Sequence, residues 1–374
     1  MTKRTKRNIA AAVLDIILGA AWGAVLIYAG LLKKEVSMQT AAELWESGGS
    51  IPYSVASLYY SEDSAKDIDG IYSLKASISK KMKEESITAE NEEGGRNYID
   101  CWYGESRITV SSEKTTETAE VFYVGGDYFR IHIPQIVSGG LIYPEDISTD
   151  RIVLDENASW LLFGSRDTEG MTVEAGGKEY VVAGVIAAPN KKGAMKRAYD
   201  EMKSACVYLP YQAADTNGEA ASFTGYDILM PDKVLGYAKN IISSAAGINE
   251  KTFNMYLTES RSRFRLDAIK KKTKEMNSFV SRRNTAVIPY WEAAAREAEL
   301  DMTICFLGGI ILAVPTVISL GYWLVELYRL IVTVKNAAAA AAERASEARK
   351  TKAYLKKQQE KQQERQREKQ TPNN

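Results

Sequence analysis

Few residues of this 374-residue chain are of a kind that does chemistry, and their spacing argues against most of it. His132 is the single histidine. It stands between Ile131 and Ile133, where it reads as a strand residue, and one histidine excludes His-pair zinc sites and leaves a Ser/His triad poorly founded. Ser77-Ile78-Ser79-Lys80 matches S-x-x-K, but it lacks the S-D-N and K-T-G segments that complete that machinery and sits in a lysine-rich amphipathic helix. Gly176-Gly177-Lys178 is followed by Glu179 and has no glycine at the required upstream distance. It reads as a hairpin turn, and no phosphate-cradling loop or ATPase engine is expected on this chain. Carboxylates are plentiful, yet no spacing pairs two of them. The expectation is a chain that is not an enzyme, with no catalytic residue, no cofactor and no metal site. Cys305 lies in an apolar run. Cys101 and Cys206 lie in the polar block, either as a disulfide in an oxidising compartment or as two small buried thiols.

Two apolar segments bracket that polar block. One runs from Ile9 to Leu32 and the other from Met302 to Val325, each near the ~20 helical residues that cross a ~30 Å hydrocarbon core. Lys3, Arg4, Lys6 and Arg7 precede the first, and eleven Lys/Arg against five Glu follow from Lys335 onward. Both ends are thus basic although the whole chain is neutral, so residues 33–301 carry a net charge of −9. The positive-inside rule then predicts cytoplasmic termini and an extracytoplasmic middle. A cleaved signal peptide is the competing reading of the first segment. The length of the apolar run and the interrupting Asp15 favour an uncleaved anchor.

Within the spans, Gly19 and Gly23 form G-x-x-x-G, and Gly308, Gly309 and Pro315 offer a close approach or a kink. Asp15 either has a polar partner in the membrane or marks a membrane edge near Ile16, the second being preferred. Glu326 and Arg329 are spaced to pair on one helix face near the cytoplasmic boundary, beside the aromatic belt of Tyr322, Trp323 and Tyr328.

The middle reads as alternating strands and helices. Ser54–Tyr60, Tyr98–Trp102, Arg107–Val110, Ala119–Val124, Ile152–Leu154, Cys206–Leu209, Tyr226–Leu229 and Phe253–Leu257 have strand composition. Ile71, Leu74, Ile78 and Met82 recur at helical spacing after Asp67, and Glu93-Gly94-Gly95 ends that region. Asn157–Phe163 reads as a helix stopped by Gly164, 171–186 as a hairpin around Gly176-Gly177, and Lys233–Ala246 as a helix closed by Gly247. A longer helix takes in Leu266, Ile269, Thr273, Met276 and Val280, and Trp291–Leu300 leads almost directly into the second span. The predicted class is α+β: a split strand–helix–strand lobe with a smaller β-rich lobe inserted at about 136–215, set between two transmembrane helices. The tail, 326–374, has helix-favouring composition with hardly an apolar stripe, so it is helical or disordered, either solvated or held at anionic lipid.

Residues 123–187 resemble a specific family. Asp127-Tyr128-Phe129, then Gly139-Gly140 before Glu145-Asp146, then Val153-Leu154-Asp155-Glu156 leading to Leu162-Phe163-Gly164, then Val173–Gly177 before Tyr180-Val181-Val182-Ala183-Gly184-Val185, are similar to the MacB-like periplasmic core domain of macrolide-exporter-type ABC transporter permeases. The chain has Thr168-Glu169-Gly170 where the family has proline-isoleucine-glycine, and one apolar run after the outer domain where family permeases carry three helices. The resemblance implies a mechanical role: a partner ATPase drives the membrane helices and the outer domain responds. The expected function is a non-enzymatic, accessory or degenerate permease-type subunit in the cell membrane. Its expected partners are a separate ABC-type ATPase, other permease subunits, membrane lipid and further copies of itself. The alternatives are an anchored extracytoplasmic binding or scaffold module and, less well founded, an envelope enzyme of unlocated site. Nucleic acid is not an expected partner of so acidic a middle.

Overall fold

A computed structural model describes residues 2–34, 37–46, 51–84, 98–189, 193–216, 222–249, 252, 254–274 and 285–368. Its elements in chain order are α1 (Lys3–Lys34), α2 (Ser37–Glu46), β1 (Tyr53–Tyr60), α3 (Ile68–Glu84), β2 (Ile99–Ser111), β3 (Thr116–Gly126), α4 (Tyr128–His132), β4 (Ile136–Gly139), β5 (Arg151–Asp155) and α5 (Glu156–Phe163). There follow β6 (Thr172–Ala175), β7 (Lys178–Ile186), α6 (Ala194–Met202), β8 (Ala205–Pro210), α7 (Gln212–Thr216), β9 (Gly225–Pro231), α8 (Tyr237–Ala245), β10 (Met255–Glu259), α9 (Leu266–Lys274) and α10 (Tyr290–Glu368). The chain divides into two compact units, Ala24–Leu307 and the pair of segments Met1–Gly23 and Gly308–Asn374.

In the first unit all ten strands join one mixed sheet of order β10-β1-β9-β2-β3-β8-β5-β7-β4, with β6 paired to β2 and β7. The β3–β8 and β5–β7 pairs are parallel and the others antiparallel. Strand alternation splits the side chains between two covered faces, so the central strands are nearly continuous runs of buried residues. On β2, Ile99, Cys101 and Tyr103 point to one core, while Trp102 points to the other with Ala56, Leu58 and Tyr60 of β1. The second face is roofed by the stripe Ile71, Leu74, Ile78 and Met82 of α3, together with Ala238, Ile241 and Ile242 of α8. Asp67 starts α3 by accepting from the Gly70 N–H at 2.8 Å. A third core gathers Ile108, Val121, Ile152, Leu154, Tyr180 and Val207 beneath α5.

Several local expectations hold. Gly164 ends α5 at φ 70° and Gly247 follows α8 at φ 67°. Gly176 and Gly177 turn the β6–β7 hairpin with φ of 57° and 81°, as a two-residue turn of that hand requires. Others are corrected. The two strands expected around Trp102 and Arg107 are one strand, β2, because β3 pairs with it without a break from Cys101 to Ser111. His132 closes a short helix rather than sitting in a strand. The expected stop at Glu93-Gly94-Gly95, the start of the Phe253 strand, and Met276 and Val280 lie outside the described residues.

Asp155 closes β5 and caps α5. Its carboxylate accepts from Ala158 N–H at 2.7 Å and Cys206 N–H at 2.9 Å, and from the Tyr199 hydroxyl. Burial lifts its pKa to about 6 against the pull of those donors. Replacing it by alanine removes a cap and strands two buried donors, so Asp155→Ala is expected to cost about 2–4 kcal/mol in equilibrium unfolding. Asp155→Asn, which keeps an acceptor for the cap, should cost less.

Candidate functional site

The sequence places a helix just before the second apolar run, and the structure shows what that helix is rooted in. α10 begins after Pro289, whose carbonyl accepts from the N–H groups of Glu292 and Ala293 at 3.0 and 2.9 Å. Its buried residues recur at helical spacing: Trp291, Glu292, Ala294, Ala295, Ala298, Glu299 and Met302. Each small or large member has a defined place. Ala294 lets α6 approach through Ala194 and Ala198. Ala295, Ala298 and Met302 pack on Phe264, Ile269 and Leu32 near the end of α1. Arg197 of α6 donates to Glu297 at 2.9 Å, and Tyr28 of α1 to Asp301 at 2.6 Å.

Trp291 enters an aromatic box on the sheet face. Its ring lies 4.9 Å from that of His132, 5.3 Å from Phe122, 5.4 Å from Tyr103 and 6.4 Å from Tyr128, mostly edge to face. Tyr128 stacks on His132 at 4.0 Å. Beneath the box, Cys101 and Asp227 face each other across the β2–β9 ladder. His132 Nε2 lies 3.1 Å from Asp227 Oδ2, and the Cys101 thiol lies 3.9 Å from the same oxygen. Burial, then the Asp227 and Asp100 charges, push the Cys101 thiol up.

From the very next residue, Glu292, to Glu299 about two turns on, charge replaces aromatic packing. Arg263, in the segment after β10, donates to both Glu292 oxygens at 2.9 and 2.7 Å and to Thr258 Oγ1 at 2.6 Å, and its Nε is 3.1 Å from Glu299. The three side chains are 2–3% exposed. Arg296 covers the ring of Tyr256 at 3.9 Å and reaches Glu292 at 3.7 Å. Burial raises the Glu292 pKa even though Arg263 lowers it, so the cluster joins helix to sheet at a desolvation cost. Sequence reasoning missed this cluster. Glu292 and Glu299 are seven apart and so share a helix face, which is a visible signal, but only the fold brings Arg263 between them.

Glu105 on β2 lies beside Glu120 and is half-buried, with one oxygen lacking a hydrogen-bond partner. Burial first, then the Glu120 charge, push its pKa up to about 8. A carboxyl raised above its unfolded value of ~4.3 adds stability that is whole below that value and is lost as pH rises through the folded one. The midpoint of thermal unfolding of the purified chain should therefore fall between pH 5 and 8, and Glu105→Gln should flatten part of that slope.

A cleft of about 300 Å³ opens on the same unit, walled by Tyr72, Trp102, Tyr143 and Tyr211. Lys75 lies over Trp102 at 4.9 Å and pairs with Asp100 at 2.9 Å. Arg130 lies at 5.0 Å over Tyr143 and forks onto Glu145 at 2.9 and 3.0 Å.

Among the described residues two helices, α1 and α10, are long and apolar enough to cross a membrane, and the second unit holds the larger part of each apolar stretch. Asp15 has polar partners there, Ser319 and the Trp323 indole N–H. Glu326 does pair with Arg329, at 3.1 Å, and also with Arg7 at 3.1 Å and with Arg4. The Trp22 ring lies 3.4 Å from where a Cβ on Gly309 would be, and its N–H donates to Thr316 at 3.1 Å. No described atom comes within 4 Å of a Cβ placed on Gly19, Gly23 or Gly308, so of these glycines Gly309 is the one in contact. Pro315 sits inside α10, which runs through it. Cys101 and Cys206 are free buried thiols, not a disulfide. Their partners on β3, Gly126 and Glu120, are six residues apart, or roughly 20 Å along the strand, far beyond the ~7 Å Cα reach of a bridge.

No family model matches the chain, and no curated protein matches it. Among solved structures it is similar to the periplasmic region of MacB from Actinobacillus actinomycetemcomitans, at 16% identity and a TM-score of 0.40 over 59% of this chain and 92% of that one. It is similar to the extracellular domain of the noncanonic ABC-type transporter YknZ from Gram-positive bacteria, at 12% identity and 0.36 over 55% and 99%. It is also similar to a domain of a putative permease protein from Porphyromonas gingivalis, at 9% identity and 0.31 over 56% and 92%.

Proposed function

We propose that this chain is a membrane subunit of the ABC-permease type, accessory or degenerate, whose extracytoplasmic domain moves with its membrane helices under a partner ATPase. The observation that carries the reading is the root of α10. Trp291 and the Glu292–Arg263–Glu299 cluster fix the first turns of this helix in the domain core, and the same unbroken helix contains the second apolar stretch. A helix locked at one end into a sheet passes on rotation or tilt in place of absorbing it. In this reading residues 1–8 and 326–374 are cytoplasmic, 9–32 and 302–325 span the membrane, and 33–301 lie outside with an inserted lobe at about 136–215. Arg4, Arg7 and Arg329 gathered on Glu326 would mark the cytoplasmic boundary. Since two spans do not make a pore, other permease subunits or further copies would complete the assembly.

Isolation from native membranes in mild detergent tests this reading. An ABC-type ATPase should co-elute, and a membrane-impermeant thiol reagent on intact cells should label a cysteine placed at Val234 but not one at Ala338. Failure of both removes the reading. The aromatic-walled cleft favours a second one, an anchored binding or scaffold module, which gains if the chain elutes without any ATPase.

A further inference from the structure

The Cys101, His132 and Asp227 trio lies at the floor of the aromatic box, and only its His132 ring takes part in the packing on Trp291 described above. The side chains come from three elements: β2, the end of α4 and β9. Cys101 and Asp227 are fully buried, and the His132 side chain, at 9% exposure, is the only solvent edge of the trio. One sulfur, one imidazole nitrogen and one carboxylate oxygen lie within 4.8 Å of one another. A tetrahedral zinc ion with bonds of about 2.0–2.3 Å needs its ligand atoms about 3.3–3.8 Å apart. The observed separations of 3.1 Å for nitrogen to oxygen and 3.9 Å for sulfur to oxygen are close to that, so little rearrangement is required.

Two further observations point to a missing ligand. Asp227 Oδ1 is buried with no hydrogen-bond partner, so hydrogen bonding within the trio leaves half of the carboxylate unsatisfied. The Tyr103 hydroxyl, on the same strand two residues from Cys101, is also buried without a partner. The His132 ring is held in place by Tyr128 on its face and Trp291 at its edge, so its Nε2 is aimed before any ion arrives.

We propose that Cys101, His132 and Asp227 form a zinc site, which clamps β2, β9 and α4 together under the root of α10. On binding, the Cys101 thiol gives its proton to solvent and the sulfur binds as thiolate, while His132 binds through the unprotonated Nε2. The mixed sulfur, nitrogen and oxygen set suits zinc over magnesium or calcium, which prefer oxygen alone.

The test uses the full chain in mild detergent carrying Cys206→Ser and Cys305→Ser, so that Cys101 is its only thiol. After exposure to Zn²⁺ and gel filtration, about one zinc per chain is expected by elemental analysis, with a raised unfolding temperature. Co²⁺ in place of Zn²⁺ should give a near-ultraviolet thiolate-to-cobalt band. His132→Gln and Asp227→Asn should each weaken zinc binding at least ~10-fold, as losing one ligand of three requires. The proposal is overturned if the two-serine chain retains no zinc, or if Co²⁺ gives only the spectrum of the hydrated ion. The trio would then be a hydrogen-bonded cluster. The single-thiol chain decides the matter whether or not the ligand variants fold.

Discussion

Arg263→Met is expected to destabilise the protein by about 3–5 kcal/mol, because it removes the buried cation shared by Glu292 and Glu299 and leaves Glu292 with Arg296 at 3.7 Å in its place. Replacing the whole cluster by neutral groups should do far less harm. Arg263→Met combined with Glu292→Gln and Glu299→Gln is expected to recover most of the loss, since buried charges are costly chiefly when one partner is removed. The single variant should also be nearer wild type at pH 5 than at pH 8. Burial already raises the Glu292 pKa in the intact cluster, and without Arg263 it rises further, so acid neutralises the stranded carboxyl. Chemical unfolding of the purified chain at the two pH values measures all three. A loss below about 1 kcal/mol for Arg263→Met would mean that the cluster is hydrated and does not hold the helix.

Trp291→Ala is expected to cost about 3–5 kcal/mol, as truncation of a buried aromatic does when the cavity cannot collapse. Collapse is opposed here by the rings of Tyr103, Phe122, Tyr128 and His132, each held by other contacts. Trp291→Phe should cost much less, because the indole N–H has no hydrogen-bond partner to lose. The place of the damage distinguishes this account from general loosening. Amide exchange should quicken across 290–302 and the flanking segment 255–264, while α3 and α8 on the opposite sheet face keep their protection.

What the sequence made legible was local. Ile71, Leu74, Ile78 and Met82 announced α3 through their spacing, Gly164 and the Gly176-Gly177 pair announced a helix end and a hairpin, and two apolar runs announced two long helices. What stayed hidden depends on contacts between distant residues. His132 reads as a strand residue because isoleucines flank it, yet Asp227, ninety-five positions away, supplies its partner. Arg263 looks like any residue of a basic stretch until β10 carries it to the root of α10. The choice between a disulfide and two buried thiols stayed open for the same reason, since two cysteines far apart in sequence carry no information about strand order. Asp15 was legible as an anomaly, but its partners Ser319 and Trp323 lie three hundred residues away.

The proposed role of the α10 root is to transmit motion between the membrane helices and the outer domain. It is tested most directly by hydrogen exchange on the assembly isolated with its ATPase, in lipid, with and without ATP. ATP is expected to change the protection of 255–264 and 290–302 together, and Arg263→Met, with its loosened root, to abolish that linked response. ATP turnover by the partner with unchanged exchange in both segments would contradict it.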